Sequence, residues 1–374
     1  MHQVRASQPA KAEGGYVLML DELVDYNADG SYKFKSIYTY DDNGYRNSWT
    51  TYRWEDDQWI GETKHGYKYD DNGILTYFTN YNWQDGQWVV STKQEPTYDD
   101  NGNEEIIVTY KWADGQWVVS SKRQFTYDDH GNQTLEVNYK WQDEQWEKSS
   151  KTEYRFDDND NQTYIASYNW QDGQWVGNYK YEYTYDNKGN QTCNIYYYWR
   201  DNEWVGYSKT EYTYDENDKQ TSNVSYFWEY GQWIFNRKVE YTHDDNGNLI
   251  SYFTYNWKYG KWELIDKYEA VFDRNHTSFA QYYIEDDQWV GYIKTDRTYD
   301  DNGYLMREDY YHWKDGDWYL FSYRIYSYSE HFFSSIAAVT TTPRVENPRK
   351  VMQKGKLHIE TPKGNFDLNG TRIR

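Results

Sequence analysis

Paired acidic residues recur along the chain and are the first side chains that could do chemistry. A tetrad similar to Asp-Asp-Asn-Gly follows a tyrosine or another aromatic residue in most repeats, as at residues 128–131. Paired carboxylates can act as acid and base in glycoside hydrolysis, and clustered oxygen ligands can bind Ca²⁺. Asp, Asn and Gly are also the residues that tight turns require, so turn chemistry accounts for the tetrads. Because they lack the alternating spacing of an EF-hand loop, Ca²⁺ binding there is a secondary expectation.

Other residues that carry chemistry follow no catalytic pattern. The eight histidines occupy different positions in the repeats: His2, His65, His130, His243, His276, His312, His331 and His358. There is no Walker motif, dinucleotide fingerprint or nucleophile elbow. We therefore predict a protein without enzymatic activity and without a cofactor.

Aromatic residues are the strongest candidates for ligand contact. The chain has 46 Tyr and 20 Trp, whose flat rings with polar tips suit stacking on sugars or peptides. The predicted ligand-stacking residues are Trp83, Trp88, Trp112, Trp117, Trp170, Trp175, Tyr179, Tyr181 and Tyr183. The alternative is that these rings form the core, because aliphatic residues are scarce.

A 29-residue repeat organises these aromatic residues. Trp–Trp pairs five residues apart recur from Trp54 to Trp313 at intervals of 29 residues, with one interval of 27 that ends at Ile284. In each repeat, a pair such as Asp114-Gly115 predicts a two-residue hairpin turn, and a tetrad predicts a longer turn with a left-handed residue. Ten repeats of two hairpins predict an all-β, antiparallel meander of about twenty strands.

Counting odd and even positions through these turns assigns the faces of the sheet. Across the two-residue turn, the residues of one face change from even to odd numbers, whereas across the longer turn they do not change. Each repeat therefore makes one such change, and an odd repeat length keeps equivalent residues on the same face. One aromatic face is predicted to carry Ile106, Val108, Tyr110, Trp112, Trp117, Val119, Phe125 and Tyr127. A column of lysines is assigned to the reverse, polar face: Lys64, Lys93, Lys122, Lys151, Lys180, Lys209, Lys238, Lys267 and Lys294.

Strand twist predicts that this sheet coils on itself. A twist of about 20–25° per strand exceeds a full turn over twenty strands, which favours a twisted or spiral sheet. The predicted segments are an N-terminal polar segment and capping strand at 1–30, the repeat array at 31–330, a C-terminal cap at 331–342, a linker at 343–349 and a basic β tail at 350–374.

Charge and composition limit the partners. A net charge of −21 disfavours nucleic acid, and the absence of a long apolar run predicts no membrane insertion. The single Cys193 excludes an intramolecular disulfide. Residues 1–15 lack the apolar segment of a signal peptide, so we expect either no export or a leader that is absent here.

Two segments resemble known families. The motif Tyr183-Thr-Tyr185-Asp-Asn-Lys-Gly189-Asn190 resembles the YD repeats of bacterial Rhs proteins and teneurins, and the match covers about residues 31–330. That resemblance implies a long spiralling β-strip. The tail at 350–373 is similar to the C-terminal sorting tails of Bacteroidota proteins exported by type IX secretion. This second resemblance implies a secreted protein or one at the outer cell surface.

These observations lead to three functional hypotheses. The first is a non-catalytic secreted or cell-surface repeat protein, an adhesin or interaction scaffold that binds a glycan or protein at its aromatic face. The second is a carbohydrate-binding module that uses the same face. The third is an Rhs-like shell around a cargo, which requires a closed interior.

Overall fold

Alternating side chains and regularly spaced turn residues make the chain a succession of β-strands. The computed structural model describes residues 16–273, 275–332, 349–353, 356–361 and 364–366. Within these ranges it contains strands and turns and no helix, so no helix there is long and apolar enough to cross a membrane. The prediction of an all-β antiparallel protein is confirmed.

Twenty-two strands form the main sheet. They are β1 (Tyr16–Asn27), β2 (Tyr32–Tyr40), β3 (Arg46–Glu55), β4 (Gln58–Tyr69), β5 (Leu75–Gln84), β6 (Gln87–Tyr98), β7 (Glu104–Ala113), β8 (Gln116–Tyr127), β9 (Gln133–Gln142), β10 (Gln145–Phe156), β11 (Gln162–Gln171), β12 (Gln174–Tyr185), β13 (Gln191–Arg200), β14 (Glu203–Tyr214), β15 (Gln220–Glu229), β16 (Gln232–His243), β17 (Leu249–Lys258), β18 (Lys261–Asp273), β19 (His276–Glu285), β20 (Gln288–Tyr299), β21 (Leu305–Lys314) and β22 (Asp317–Phe332).

Each strand pairs antiparallel with the next one along the chain, and the last strand pairs with the first. The β1–β22 pairing, called the seam below, extends from Tyr16↔Phe332 to Asn27↔Ser322. It leaves the main sheet without a free edge, so the strands form a closed, up-and-down barrel. The prediction of an open, twisted or spiral sheet is therefore wrong.

A regular stagger between repeats explains the closure. Backbone pairing joins Ile107 to Arg123, and Arg123 to Asn138. Asn138 lies 31 residues after Ile107, whereas one repeat is 29, so each repeat slides by two residues against its neighbour. Over eleven hairpins the offsets total about 22 residues, equal to the number of strands, which corresponds to a strand tilt of about 36°. Strand twist is thus absorbed as tilt and the two ends of the sheet meet.

Two β-bulges in most repeats change which residues share a face, and the exception is the 27-residue repeat, whose β18–β19 pairing has no bulge. Tyr110 pairs with Val119, but Thr109 pairs with Ser121, so Ser120 is an extra residue in β8. At the end of β8, Tyr127 pairs with Gln133 while Thr126 pairs with Leu135, and Thr134 is likewise extra. Each bulge moves the residues that follow it to the other face of the sheet. The effects of the two bulges therefore cancel between one Trp pair and the next.

The segment between the two bulges therefore lies on the opposite side from the prediction. Phe125 and Tyr127 face away from the Trp pairs, whereas Lys122 lies on the same face as the Trp pairs, opposite Tyr139. A repeat with no bulge and one with two bulges give the same overall parity. For this reason, the odd repeat length is consistent with both arrangements and did not reveal the difference.

The barrel has little conventional core. Among residues whose burial the structure describes, the buried hydrophobic side chains are Met19, Ile107, Phe125, Ala166, Ala270 and Ala280. Most other side chains are half-buried on one face or the other. A 22-stranded barrel is too wide for its own side chains to fill, which agrees with this distribution.

The predicted terminal segments have different outcomes. The aliphatic residues 16–24, predicted to cap the array, lie in β1 and pair with β22. Residues 333–342 of the predicted cap and 343–348 of the linker lie outside the described residues. The chain divides into two compact units, Met1–Phe332 and Phe333–Arg374. In the second unit, β23 (Arg349–Gln353), β24 (Lys356–Thr361) and β25 (Gly364–Phe366) form a separate antiparallel sheet.

Candidate functional site

The Trp pairs cover one face of the barrel, called the Trp face below. Within each complete pair the two indole rings are 4.8–5.0 Å apart and inclined by 66–78°, an edge-to-face contact. All six predicted ligand-stacking tryptophans lie here: Trp83, Trp88, Trp112, Trp117, Trp170 and Trp175. The two-residue turn that joins each pair across the hairpin fixes this geometry.

Each Trp pair also packs on the preceding repeat. A Cβ atom built on Gly177 would lie 2.5 Å from the Trp199 ring, so that indole lies directly against the glycine backbone. At the equivalent place in another repeat, the Phe235 ring lies 5.0 Å from Trp257. The aromatic contacts therefore continue from one hairpin to the next around the Trp face.

The lysine column lies within this aromatic surface, which corrects its predicted location. Every Lys ammonium in the column is 4.0–5.3 Å from the centre of a Tyr ring on the next strand, a cation–π contact. The pairs of the predicted column are Lys64–Tyr81, Lys93–Tyr110, Lys122–Tyr139, Lys151–Tyr168, Lys180–Tyr197, Lys209–Tyr226, Lys238–Tyr255, Lys267–Tyr282 and Lys294–Tyr311, and Lys35–Tyr52 extends the column by one repeat. The physical reason is the first bulge, which turns these lysines to the Trp face.

An acidic residue completes this unit in most repeats. Lys180 Nζ is 2.8 Å from Glu182 Oε1, and the Tyr197 hydroxyl donates to Glu182 Oε2 at 2.9 Å. Burial favours a raised pKa for Glu182, but the hydrogen bonds from Lys180 and Tyr197 outweigh it and lower the pKa. Burial, together with the bond to Glu182, raises the pKa of Tyr197 to about 12. The contacts among the three side chains hold the Tyr197 ring in place on the Trp face.

The three predicted tyrosines lie on the opposite side, called the reverse face below. Tyr179, Tyr181 and Tyr183 follow the bulge in β12, and Tyr179 pairs with Ser167 and Tyr198. The Tyr181 ring is 6.1 Å from Tyr183 in a stacked arrangement. The prediction that these tyrosines share a surface with Trp175 is wrong, for the same reason as the lysine column.

On the reverse face, a tyrosine at or near the end of seven strands reaches a backbone carbonyl on the preceding strand. The Tyr127 hydroxyl donates to the Glu104 carbonyl at 2.7 Å, and Tyr98 makes the same bond to Leu75. Equivalent bonds are made by Tyr40, Tyr69, Tyr185, Tyr214 and Tyr328. The recurring tyrosine was visible in the sequence, but its acceptor was not.

The acidic turns are occupied by their own backbone. Asp99 Oδ1 accepts hydrogen bonds from the backbone N–H groups of Asn101 and Asn103 at 2.9 and 2.8 Å. The other tetrads repeat this arrangement from Asp41 to Asp300. In the described part of the chain, no three His, Cys, Asp or Glu side chains are grouped so that they could hold a metal ion.

A charged cluster on the reverse face beside the seam had no sequence signal. Glu308, whose side chain is 5% exposed, accepts from Arg297 Nε at 2.7 Å and from the Tyr310 hydroxyl at 2.8 Å. Arg324 lies next to it and pairs with Asp25 across the seam. Four strands are linked in this way where the first and last strands meet.

Comparisons with known proteins give likenesses in strand arrangement only. No protein-family model matches the chain, and no curated protein matches it. A DUF3836 family protein from Bacteroides vulgatus is 21% identical over 24% of this chain and 91% of its own, with a TM-score of 0.22. A porin-like protein from Bacteroides uniformis is 10% identical over 83% of this chain and 98% of its own, with a TM-score of 0.22.

A third similar structure comes from a toxin. The Photorhabdus luminescens Tc holotoxin pore is 11% identical over 95% of this chain and 23% of its own, with a TM-score of 0.28. These TM-scores lie well below 0.5, so none of the three structures assigns a function to this chain.

Proposed function

We propose that this protein is a non-catalytic, secreted or cell-surface interaction scaffold whose ligand stacks on the Trp face. The observation that supports this most directly is the exposure of one indole in several pairs. Trp112 is 39% exposed, and Trp141 and Trp228 are each 38% exposed. The second ring of each of these pairs is more deeply covered, so the pair presents one ring and supports it with the other.

The spacing of the pairs favours an extended ligand. Successive pairs are two strands apart, about 10 Å for strands spaced by 4.7–4.9 Å. A ligand with repeating units can contact several rings at once, and linked weak contacts add up to strong binding. A polysaccharide is the ligand class that we propose, and an extended peptide is the competing one.

Tryptophan fluorescence on a panel of polysaccharides and peptides tests this proposal. We expect a polysaccharide to shift the emission, and Trp112→Leu to weaken its binding more than Trp117→Leu does. Both variants remove one ring of the same pair, so the second controls for damage to the hairpin. Fluorescence that no member of the panel changes would contradict the proposal.

Closure of the barrel supports a second candidate, a small shell around a cargo. The seam removes the free edges, and a closed interior is what that hypothesis required. Co-expression with the neighbouring genes of its genome, followed by purification, tests it. A cargo that stays bound at high salt and is released by unfolding supports the shell, and an empty barrel contradicts it.

Surface localisation is proposed from the tail at 350–374. Fusion of this segment to a reporter in a host with type IX secretion tests it, because a sorting tail carries the reporter out of the cell. Retention of the reporter inside would contradict export by this route.

A further inference from the structure

Two hairpin tips on one rim of the barrel differ from all the others. The first residue of each two-residue turn has a positive φ between 48 and 52°, and it is Asp in eight of the ten repeats. Tyr230 and Tyr259 occupy this position in the other two. Left-handed backbone is tolerated by Asp and Asn and is unfavourable for a bulky residue. Tyr230 is 98% exposed and Tyr259 is 88% exposed, so burial of these rings does not compensate the strain.

The two tips are neighbours. They join β15 to β16 and β17 to β18, so about 10 Å separates them around the rim. The part of the barrel from β15 to β18, called the arc below, also contains Phe235, which is 42% exposed and contacts Trp257. In the other repeats from Trp54 to Ile284, Gly, Val, Lys or Leu stands at this position. Independent departures from the repeat pattern thus concentrate aromatic surface in one arc.

Charge also distinguishes this arc. The tip Lys258-Tyr259-Gly260-Lys261 has no acidic residue, whereas each of the other nine tips has at least one. Glu263 is the acid that faces the two ammonium groups, at 3.9 Å from Lys258 Nζ and 3.2 Å from Lys261 Nζ. These lysines are 57% and 68% exposed, and ion pairs this exposed exchange readily for other anions.

We infer that this arc is a binding site for an acidic polysaccharide, one that carries uronic acid carboxylates. Sugar rings stack on Tyr230 and Tyr259, and a carboxylate of the chain pairs with Lys258 or Lys261. Every other tip carries an acidic residue, including Glu229 beside Tyr230, so charge directs the carboxylate to the tip that contains Tyr259. The inference rests on the proposed function and narrows it to one ligand class and one place.

Substitution by Asn, the neutral counterpart of the aspartate in the ordinary tips, provides a sharp test. Tyr230→Asn and Tyr259→Asn remove the rings, keep the backbone conformation favourable and add no charge. We expect calorimetric titration with sodium alginate to show binding to the unmodified protein. Loss of either ring should weaken binding about threefold to tenfold. Unchanged or raised melting temperatures should show that the fold is intact.

Further binding experiments distinguish this site from the Trp face. The double variant Lys258→Gln/Lys261→Gln should bind alginate more weakly, and its binding should depend less on salt. The unmodified protein should bind neutral pullulan more weakly than alginate. If alginate binds the tyrosine variants as well as the unmodified protein, this site is wrong while the proposed function stands. If no polysaccharide binds the unmodified protein, both this site and the polysaccharide ligand of the proposed function are wrong. Equal binding of pullulan and alginate would overturn the role of charge.

Discussion

Arg324 holds Asp25 across the seam with two hydrogen bonds, from Nε at 2.5 Å and from Nη2 at 3.1 Å, between residues 299 positions apart. Arg324→Gln should lower the free energy of unfolding by about 2 kcal/mol, because it removes a partly buried, charge-assisted pair of hydrogen bonds. Hydrogen exchange should then become faster in β1 and β22 than in central hairpins. Arg53→Gln is the control, since its pair with Glu55 is exposed on both sides and contributes little. Equal exchange in all strands would contradict a special role for the seam.

Glu308 should make the seam sensitive to acid. Burial favours a raised pKa for Glu308, but hydrogen bonds from Tyr326, Tyr310 and Arg297 outweigh it and hold the pKa below its ordinary value. A carboxyl with a depressed folded-state pKa stabilises the fold above its unfolded pKa, about 4.3, and this contribution is lost as pH falls through the folded value.

A comparison of unfolding curves isolates that contribution. Several turn aspartates also have lowered pKa values, so both the unmodified protein and Glu308→Gln should lose stability in acid. The stability difference between the two should be largest at neutral pH and shrink below about pH 4. A difference that does not change with pH would show that the charge of Glu308 is unimportant.

Gly177 should tolerate no side chain, because the Trp199 ring occupies the space that a Cβ atom would need. Gly177→Ala should cost about 1–3 kcal/mol through displacement of the indole. Gly206 occupies the same position one repeat later, but there the nearest ring atom is 3.3 Å from the built Cβ. Gly206→Ala should therefore cost clearly less. Thermal unfolding of the two variants measures the difference, and equal losses would contradict the packing argument.

Tyr127→Phe should lower the free energy of unfolding by about 1 kcal/mol, because it removes the hydrogen bond to the Glu104 carbonyl. The chain itself contains Phe156 at the equivalent position, so the change is compatible with the fold. Chemical denaturation measures the loss, and a variant as stable as the unmodified protein would show that water replaces the hydroxyl.

The same tyrosines predict sensitivity to alkali. Burial and the nearby Glu104 raise the pKa of Tyr127 to about 12, and burial also raises that of Tyr98 to about 12. A group whose folded-state pKa is raised gives its full stabilisation below the unfolded value, near 10, and loses it as pH rises toward 12. Tyr127→Phe should therefore approach the unmodified protein in stability across this range.

Removal of divalent cations should leave the melting temperature unchanged. The first aspartate of each tetrad already accepts backbone hydrogen bonds through Oδ1, as Asp99 does from Asn101 and Asn103. Thermal unfolding with EDTA and with added CaCl₂ checks this. A rise in the melting temperature with Ca²⁺ would restore the possibility of a metal site at the turns.

Much of the local structure follows from sequence, because turns and strand alternation depend on neighbouring residues. The Asp114-Gly115 turn and the pairing of Trp112 with Trp117 are of this kind. The bulges at Ser120 and Thr134 are not, since no residue type marks them and their parity changes cancel.

The seam was equally inaccessible, because it depends on a stagger summed over all repeats. Asp25 and Arg324 acquire their roles only once the barrel has closed. The candidate site mixes both cases, with the tryptophans placed correctly and Tyr179, Tyr181 and Tyr183 on the other face.

The two-residue stagger has a consequence for how such chains can diversify. Strand tilt depends on the ratio of total offset to strand number, and each repeat adds two residues of offset and two strands. Gain or loss of a whole repeat therefore changes both quantities together and leaves the tilt as it is. Duplication or deletion within the gene would yield barrels of graded calibre, each closing with the same first and last strands.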